Sequence, residues 1–312
     1  MKILSNRLIV LGAILQINFM TFSQQKTISI TIDDVPNTAN YEKDHFRPIL
    51  LNILDSLKIP FTIFINEDKI YKTAWLDKNK ELLETWVKNE HAIIANHTYS
   101  HSRYSEVGFE SFIKDIEKGD SLTKVYASKY NKVVKYFRFP FNDMGNDSLQ
   151  HIQIREYLKS KNYTIAPFTV ESSDWMFDTV YQYYLSAGDT VKAKTIGQQY
   201  VDKTIELLNF YEKIAIEIYQ RPIKHIYLCH DNAINADYLA EIISRLKQAD
   251  YSIVSFEESL KDPIYKQKDT YYKKWGISWL YRYMDTQEER VKWMKLEPDI
   301  SKIETLYNQI NK

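Results

Sequence analysis

The chain has 312 residues, which is enough for one large domain or two small ones. Hydrophobic residues make up 44% and charged residues 26%, a composition typical of globular proteins and not of disordered or fibrous ones. Lysine and arginine together number 41, as do aspartate and glutamate, so the formal net charge of zero gives no indication of nucleic-acid binding.

The first 23 residues have the pattern of a secretory signal peptide. Lys2 and Arg7 give a positive start, residues 8–15 form an apolar stretch, and small or polar residues follow up to Ser23. Because the apolar stretch is short and its continuation carries polar residues, we expect cleavage near Ser23 and no stable membrane span afterwards. An uncleaved anchor is the alternative. Export to the periplasm or the extracellular space follows from the signal-peptide interpretation.

Short strands and amphipathic helices alternate along most of the chain. The first strand begins at Thr27, where isoleucines alternate with threonine and serine. Further strands are predicted by short apolar stretches at 61–65, 91–95, 133–139, 163–170, 225–230 and 251–255. Helices are predicted by apolar residues at helical spacing at 46–57, 79–89, 107–127, 147–160 and 234–248. This alternation predicts an α/β fold with a parallel sheet.

Cys229, the single cysteine, lies in one of the apolar stretches and is expected to be a buried strand residue.

Two regions depart from the alternation. Helical stretches at 177–186 and 190–219, joined by Gly188-Asp189, predict a helical hairpin inserted at about 177–221. Residues 263–312 predict a helical C-terminal extension that is charged and rich in tryptophan and tyrosine, without recognisable catalytic residues.

Polar residues that can carry chemistry follow five of the predicted strands. The C-terminal ends of parallel strands are where functional sites assemble in α/β folds. In chain order the five clusters are Asp33-Asp34, Asn96 to His101, Phe137 to Phe141 around Arg138, Ser172 to Trp175, and Leu228 to Asp231. Any one of them could be a structural ion pair, a helix cap or a core histidine. Five in this order indicate an active site.

The first two clusters indicate a metal site. Strand alternation predicts that the neighbouring Asp33 and Asp34 face apart, so that one could hold a metal and the other handle a proton. His97 and His101 are four residues apart, and a helical turn would bring both imidazoles to one side. Two histidines and one carboxylate leave positions open for water, which is the ligand pattern of a catalytic zinc or a similar divalent ion.

Taken together, the clusters resemble the five motifs of the polysaccharide deacetylases, carbohydrate esterases of the nodulation-deacetylase type. The resemblance covers about residues 26–262. The matching segments are Thr31-Ile32-Asp33-Asp34-Val35-Pro36, His97-Thr98-Tyr99-Ser100-His101, Arg138-Phe139-Pro140-Phe141, Ser173-Asp174-Trp175 and Leu228-Cys229-His230. The resemblance implies a distorted (β/α) barrel as the α/β fold. The resulting organisation is a signal peptide at 1–23, a deacetylase domain at 24–262 that contains the hairpin, and the extension at 263–312, as in a bacterial exported subgroup.

The resemblance also implies a metal and a general base. Asp34, His97 and His101 match the ligands of one divalent ion, with zinc as the expected metal and cobalt, nickel or manganese as alternatives. Asp33 matches the general base. Arg138 matches the arginine that orients this base and forms an ion pair with it.

The remaining matches concern the leaving group and the substrate. His230 matches the general acid, and Asp174 matches the carboxylate that pairs with it. Phe141 stands where a backbone N–H helps to hold the oxyanion, and Trp175 matches an aromatic wall beside the acid.

Two positions depart from the family pattern, which has glycine where Val35 and Asn142 stand. A side chain at Val35 would narrow the pocket. Asparagine tolerates the left-handed backbone better than most residues, so Asn142 is expected to keep the turn.

The implied reaction is metal-dependent hydrolysis of an acetyl group on a carbohydrate, either the N-acetyl group of an amino sugar or an O-acetyl ester. Two alternatives stay open: a metal-dependent C–N hydrolase of a small non-carbohydrate amide, and a non-catalytic pseudo-enzyme that binds glycan. Export weighs against the first, and the complete set of acid, base and ligand positions weighs against the second. The expected partner is an acetylated carbohydrate substrate, with no nucleic acid.

Overall fold

A computed structural model describes residues 25–311, so the expected signal peptide at 1–23 lies outside the described residues. Strands within this range form one parallel sheet. They are β1 (Thr27–Val35), β2 (Phe61–Ile65), β3 (Ala92–Asn96), β4 (Tyr136–Phe137), β5 (Thr164–Ile165), β6 (Val170–Glu171), β7 (Lys224–His230) and β8 (Ser252–Ile253). The strand order is β5-β4-β3-β2-β1-β7-β6, and β8 pairs with the start of β1. The sheet curls into a barrel-like shape that is open between β5 and β6, which do not pair with each other.

Helices connect and cover these strands. They are α1 (Thr38–Lys43), α2 (Ile49–Leu57), α3 (Leu76–Lys88), α4 (Tyr104–Lys118), α5 (Ser121–Lys129), α6 (Ser148–Ser160), α7 (Asp174–Ser186), α8 (Thr190–Tyr219), α9 (Ala233–Gln248), α10 (Phe256–Ser259), α11 (Trp279–Arg282), α12 (Gln287–Met294) and α13 (Ser301–Ile310). Among the helices of residues 25–311, none is both long and apolar enough to cross a membrane.

The predicted α/β barrel architecture is confirmed by the parallel sheet and its surrounding helices. Helices α7 and α8 pack against each other in the connection between the neighbouring strands β6 and β7, where the hairpin was predicted. Gly188 allows the tight turn between them because its φ of 75° lies in the left-handed region. Cys229 is fully buried in β7, as predicted.

Several predicted elements are shorter or interrupted in the structure. The helix predicted at 107–127 is two helices, because Gly119 ends α4 where its backbone passes close to the backbone of Thr98. The strands predicted at 133–139 and 163–170 are reduced to the two-residue strands β4, β5 and β6. The extension is not helical throughout, since residues 267–278 form no regular structure. Its backbone groups bond to the barrel instead: Trp279 N–H donates to Phe168 O.

Strand β1 lies near the middle of the sheet between β2 and β7, and both of its faces are buried. Its isoleucines pack in the apolar layer between the sheet and the outer helices. The opposite face carries Thr31 and Asp33, which both accept hydrogen bonds from the buried Arg138. The alternating pattern of the sequence therefore separates an apolar outer face from a polar inner face.

Buried charges fix the extension to the barrel. Arg282 and Arg155 both donate to the carboxylate of Asp269, and the side chains of Arg282 and Asp269 are almost completely buried. Arg290 donates to the carbonyl oxygens of Tyr281 and Met284. These bonds hold the extension together internally, and the bond from Arg155 joins it to the barrel.

We expect Asp269→Asn to lower the free energy of unfolding by ~3–5 kcal/mol, because it leaves a buried arginine charge incompletely paired. Urea unfolding followed by circular dichroism measures this difference. Glu206→Gln is the matched control: it removes one charge of an exposed pair with Lys203, for which ~0–1 kcal/mol is expected. Equal losses in the two variants would contradict the structural role of Asp269.

Candidate active site

A cleft of ≈ 740 Å³ opens at the C-terminal ends of the strands. This volume lies within the ~300–1,000 Å³ typical of ligand sites. The predicted site residues that line the cleft are Asp33, Asp34, His97, His101, Phe141, Trp175 and His230. The other two, Arg138 and Asp174, lie behind it in hydrogen-bonding contact with Asp33 and His230. The structure therefore brings all nine predicted residues together.

The end of β1 is irregular, and this irregularity brings two carboxylates to one side. The register with β2 shifts between Ile32 and Val35, and Asp34 has a φ of 67°. As a result Asp33 Oδ2 lies 3.8 Å from His97 Nε2, and Asp34 Oδ1 lies 3.7 Å from the same atom. The prediction that the two aspartates face apart is wrong, because it assumed a regular pleat at a position where the strand bulges.

The two histidines lie on a loop and not on a helical turn, so that part of the prediction is also wrong. Thr98 and His101 have φ values of 66° and 59°, which fold residues 97–101 back on themselves. Asp115 of α4 holds the loop: its carbonyl oxygen accepts from Tyr99 N–H, and its carboxylate accepts from Ser100. The loop brings the imidazole rings within 5.0 Å of each other, centroid to centroid.

Asp34, His97 and His101 fit a divalent cation. Asp34 Oδ1 lies 3.2 Å from His101 Nε2 and is buried, yet no described residue donates a hydrogen bond to it. One ligand atom from each residue lies within 4.8 Å of the others. Ligands around a tetrahedral ion at ~2.0–2.2 Å are ~3.3–3.6 Å apart, close to the observed separations. A carboxylate oxygen and two imidazole nitrogens that face one another at these distances are the arrangement that a cation would stabilise.

The protonation states of these three residues also suit the binding of a cation. His97 Nδ1 lies 2.8 Å from Arg138 O, and donation to that carbonyl leaves Nε2 free on the side of Asp34. Burial lowers the pKa of both His97 and His101 to about 4, which keeps the imidazoles neutral. Burial alone would raise the pKa of Asp34, but Lys69 and the nearby histidines lower it well below its usual range.

Asp33 is the buried partner of Arg138. Arg138 Nη1 donates to Asp33 Oδ1 at 2.7 Å and to Thr31 Oγ1 at 2.8 Å, and its Nη2 donates to Pro167 O. Burial raises the pKa of Asp33 above its ordinary value, against the opposing charge of Arg138. The guanidinium fixes one carboxylate oxygen and leaves Oδ2 facing the cleft.

His230 ends β7 and is held by Asp174. Its Nδ1 lies 2.6 Å from Asp174 Oδ1, and its backbone N–H donates to Oδ2. Asn232 and Asn235 also donate to Asp174 Oδ2, so this buried carboxylate is well satisfied. Burial opposes the imidazolium, but Asp174 outweighs it, and with Asp34 and Asp33 it raises the pKa of His230 to about 10.

Phe141 and Asn142 both have left-handed backbone, with φ values of 56° and 52°. Asn142 therefore keeps the turn at the position where the family pattern has glycine. The Phe141 ring lies at the mouth of the cleft, 4.5 Å from the His101 ring and 3.9 Å from the Arg103 guanidinium. Val35 is fully buried in the core and does not line the cleft, so the expectation that it narrows the pocket is wrong.

Comparison with known proteins agrees with this arrangement. Residues 22–163 match the sequence model of the family described as polysaccharide deacetylase. The matched segment makes up just under half of the chain, and over it the sequence is similar to the polysaccharide deacetylases. A peptidoglycan-N-acetylglucosamine deacetylase of Bacillus cereus is 24% identical over 151 residues, which are 47% of this chain and 46% of that protein. The chain thus matches about half the length of this curated relative.

Solved structures show the same fold as this chain. A mutant of a CE4 family pseudoenzyme with restored enzymatic activity has a TM-score of 0.50 and 17% identity, covering 76% of this chain and 68% of that one. The wild-type pseudoenzyme from Bacillus anthracis has a TM-score of 0.50 and 16% identity, covering 76% and 66%. Because one fold accommodates active and inactive forms, activity has to be argued from the site residues.

Sequence patterns missed four residues that the deacetylase fold brings to this site. Lys69 Nζ lies 3.1 Å from Asp34 Oδ2 and donates to Asp34 O, which leaves Oδ1 toward the histidines. A single lysine outside any motif gives no sequence pattern from which this contact could be predicted. Asn235, beside the fifth cluster, supports Asp174. Trp275 and Tyr307 of the C-terminal extension line the cleft.

We expect Asp174→Asn to lower the pKa of His230 markedly from about 10, because only Asp34 and Asp33 then remain to oppose the effect of burial. Titration of the imidazole nitrogens by two-dimensional NMR measures this midpoint. His151, which packs against Gly145 and Tyr272 on another part of the fold, is the internal reference and should keep its midpoint. An unchanged His230 midpoint would show that Asp174 does not hold the charge.

Proposed function

We propose that this protein is a metal-dependent hydrolase that removes acetyl groups from a carbohydrate, either N-acetyl groups of amino sugars or O-acetyl esters. The proposal rests on one observation: a single cleft contains three residues spaced to bind a cation, the buried carboxylate of Asp33, and His230 with a raised pKa. Asp33 and His230 are register partners on the neighbouring strands β1 and β7, so base and acid would flank the same bound group.

Asp34, His97 and His101 would hold the ion, which we expect to be zinc, with cobalt, nickel or manganese as alternatives. Such an ion supplies polarisation of the acetyl carbonyl and lowers the pKa of water toward ~7. Asp33 Oδ2 would accept the proton of the attacking water, since its raised pKa makes it a stronger base than an exposed aspartate. Arg138 would keep the carboxylate oriented during this step.

Departure of the nitrogen needs a proton, because an amine does not leave as an anion. His230 would donate this proton from Nε2, while Asp174 stabilises the charge through Nδ1. The backbone N–H of Phe141 would donate to the developing oxyanion. Trp175, which is 43% exposed beside the cleft, would form an aromatic wall for the sugar.

The proposal also includes export through the signal peptide expected at 1–23, and an acetylated glycan of the cell envelope or surroundings as the substrate. One of the relatives named above supports a cell-envelope glycan as the substrate, since it is described as a peptidoglycan-N-acetylglucosamine deacetylase. Acetate release from chitin oligomers, peptidoglycan fragments and acetylated xylan would identify the glycan. A small non-carbohydrate amide hydrolase would release no acetate from any of them, and a pseudo-enzyme would bind glycan without releasing acetate.

We expect Asp33→Asn and Asp34→Asn to separate catalysis from metal binding. Asp33→Asn should keep zinc affinity and reduce acetate release by ~10²–10⁴-fold, because the base is removed. Asp34→Asn should weaken zinc binding by at least ~10²-fold, since even indirect support of a ligand is worth ~10–100-fold. Equilibrium dialysis and an acetate assay measure the two effects.

Asp202→Asn is the control, because Asp202 is an exposed carboxylate of α8 that pairs with Arg245 and does not line the cleft. It should leave zinc affinity and acetate release nearly unchanged. If Asp33→Asn abolished zinc binding and Asp34→Asn retained it, the proposed roles of the two carboxylates would be reversed.

We expect His230→Ala to damage amide hydrolysis more than hydrolysis of an activated aryl acetate, because a phenolate leaves without protonation. The loss on the amide should be ~10²–10⁴-fold. The same enzyme preparation assayed on both substrates is its own control for folding. In the wild type the amide rate should fall on the alkaline side as His230 loses its proton, and Asp174→Asn should move that decline to lower pH. Equal losses on both substrates, with no movement of the decline, would assign the proton to another group.

A further inference from the structure

The C-terminal extension fills the opening in the barrel. Strands β5 and β6 do not pair with each other, and the segment between them keeps unpaired backbone groups. Two of these are bonded by the extension: Trp279 N–H donates to Phe168 O at 3.0 Å, and Ser278 Oγ donates to Thr169 O at 2.7 Å. The polypeptide that precedes Ser278 is thereby directed to the mouth of the cleft.

Gly276 fits tightly at this mouth. A β-carbon at Gly276 would lie 2.3 Å from Phe141 O and 2.9 Å from Asn142 Cβ, so only glycine permits the approach. The next residue back, Trp275, lines the cleft and is 59% exposed. Trp275 therefore presents an apolar ring to the cleft on a segment that Gly276 and Ser278 hold at its C-terminal side.

A second aromatic side chain of the extension reaches the same cleft. Helix α13 packs against α7, and Tyr307 on α13 meets Trp175 on α7 edge to face, with ring centroids 5.1 Å apart. Trp175 directly follows Asp174, which bonds to His230. Tyr307 therefore lies on the side of the cleft where the proposed acid His230 is located. Polar groups of Asp178 and Thr179 line the cleft next to these rings.

Flat aromatic faces beside polar groups match the chemistry of a pyranose ring, which has apolar C–H faces and a rim of hydroxyl groups. The cleft of ≈ 740 Å³ is in the upper half of the ~300–1,000 Å³ range of ligand sites, which leaves room beside the reacting sugar. The geometry points to a subsite formed by Trp275 and Tyr307 together with Trp175. This subsite binds the sugar next to the one that loses its acetyl group, so that the C-terminal extension takes part in recognising the glycan together with the barrel. The inference rests on the proposed deacetylase function.

Trp275→Ala and Tyr307→Ala test the subsite. The probe is the β-1,4-linked tetramer of N-acetylglucosamine, compared with the monosaccharide. Binding is measured by calorimetry in the Asp33→Asn background, where the tetramer is not consumed. Loss of one aromatic anchor should weaken tetramer binding about tenfold and leave the weaker binding of the monosaccharide unchanged. Trp275→Phe, which keeps a flat ring, should restore most of the affinity.

Two controls test whether a loss of tetramer binding is caused by misfolding. Trp75→Ala removes a tryptophan that is 47% exposed and lies outside the cleft, and it should leave tetramer binding unchanged. With Asp33 intact, Trp275→Ala and Tyr307→Ala should hydrolyse an activated aryl acetate with a kcat/KM within about twofold of the wild type, because that substrate reaches only the reacting centre.

Unchanged tetramer binding in both alanine variants would overturn the subsite. The subsite would also be overturned if the parent protein, with Trp275 and Tyr307 intact, bound the tetramer no more tightly than the monosaccharide. These outcomes leave the proposed function standing if acetate is still released. Conversely, tetramer binding that depends on Trp275 in a protein that releases no acetate would support the subsite and contradict the proposed function.

Discussion

The arrangement of the site depends on the burial of one charged side chain. Arg138 has no exposed surface, and a charge in that position is stable only if its hydrogen bonds are satisfied. Its guanidinium bonds to Thr31 and Asp33 of β1 and to Pro167 O before β6, and lies 4.0 Å from the ring centroid of Phe64 on β2. Its backbone bonds to Asn96 O and to His97 Nδ1 after β3. One residue thus links the proposed base, a histidine of the proposed metal site and four parts of the barrel.

Around this centre the backbone adopts conformations that most residues avoid. Asp34, Thr98, His101 and Phe141 all have positive φ values, and none is glycine. Each such residue costs of order ~1 kcal/mol or more, so the surrounding structure has to hold it. Asn66, which donates to the carbonyl oxygens of His97 and Thr98, and Asp115, which holds Ser100, provide that support. The surrounding structure thus holds these side chains in place, and groups that are already positioned can stabilise a transition state without reorganisation.

The sequence predicted which residues meet but not how they meet. Strand ends followed by polar residues were recognisable because strand periodicity is local, and parallel strands bring their C-terminal ends together. The convergence of Asp33 with Asp34 depends on a bulge, and that of His97 with His101 on two left-handed residues, which neighbouring residues do not specify. Lys69 and Trp275 reach the cleft only through tertiary packing. Apolar periodicity also overextended the strands near β4 and β5, because buried loops have the same composition as buried strands.

Asp33 and Asp34 illustrate how environment gives two identical, adjacent residues different chemistry. Burial dominates at Asp33 and raises its pKa despite Arg138, whereas at Asp34 burial is outweighed by Lys69 and three histidines, which lower the pKa. A carboxylate with a raised pKa accepts a proton more readily, and one with a lowered pKa stays anionic and available to a cation. Opposite shifts in a pair of titratable groups are how a site separates its acid–base function from its binding function. Arg138 bonds to Asp33 and Lys69 to Asp34, and each cation lowers the pKa of its aspartate. The division therefore follows from the balance at each carboxylate: burial outweighs the nearby charges at Asp33, and the nearby charges outweigh burial at Asp34.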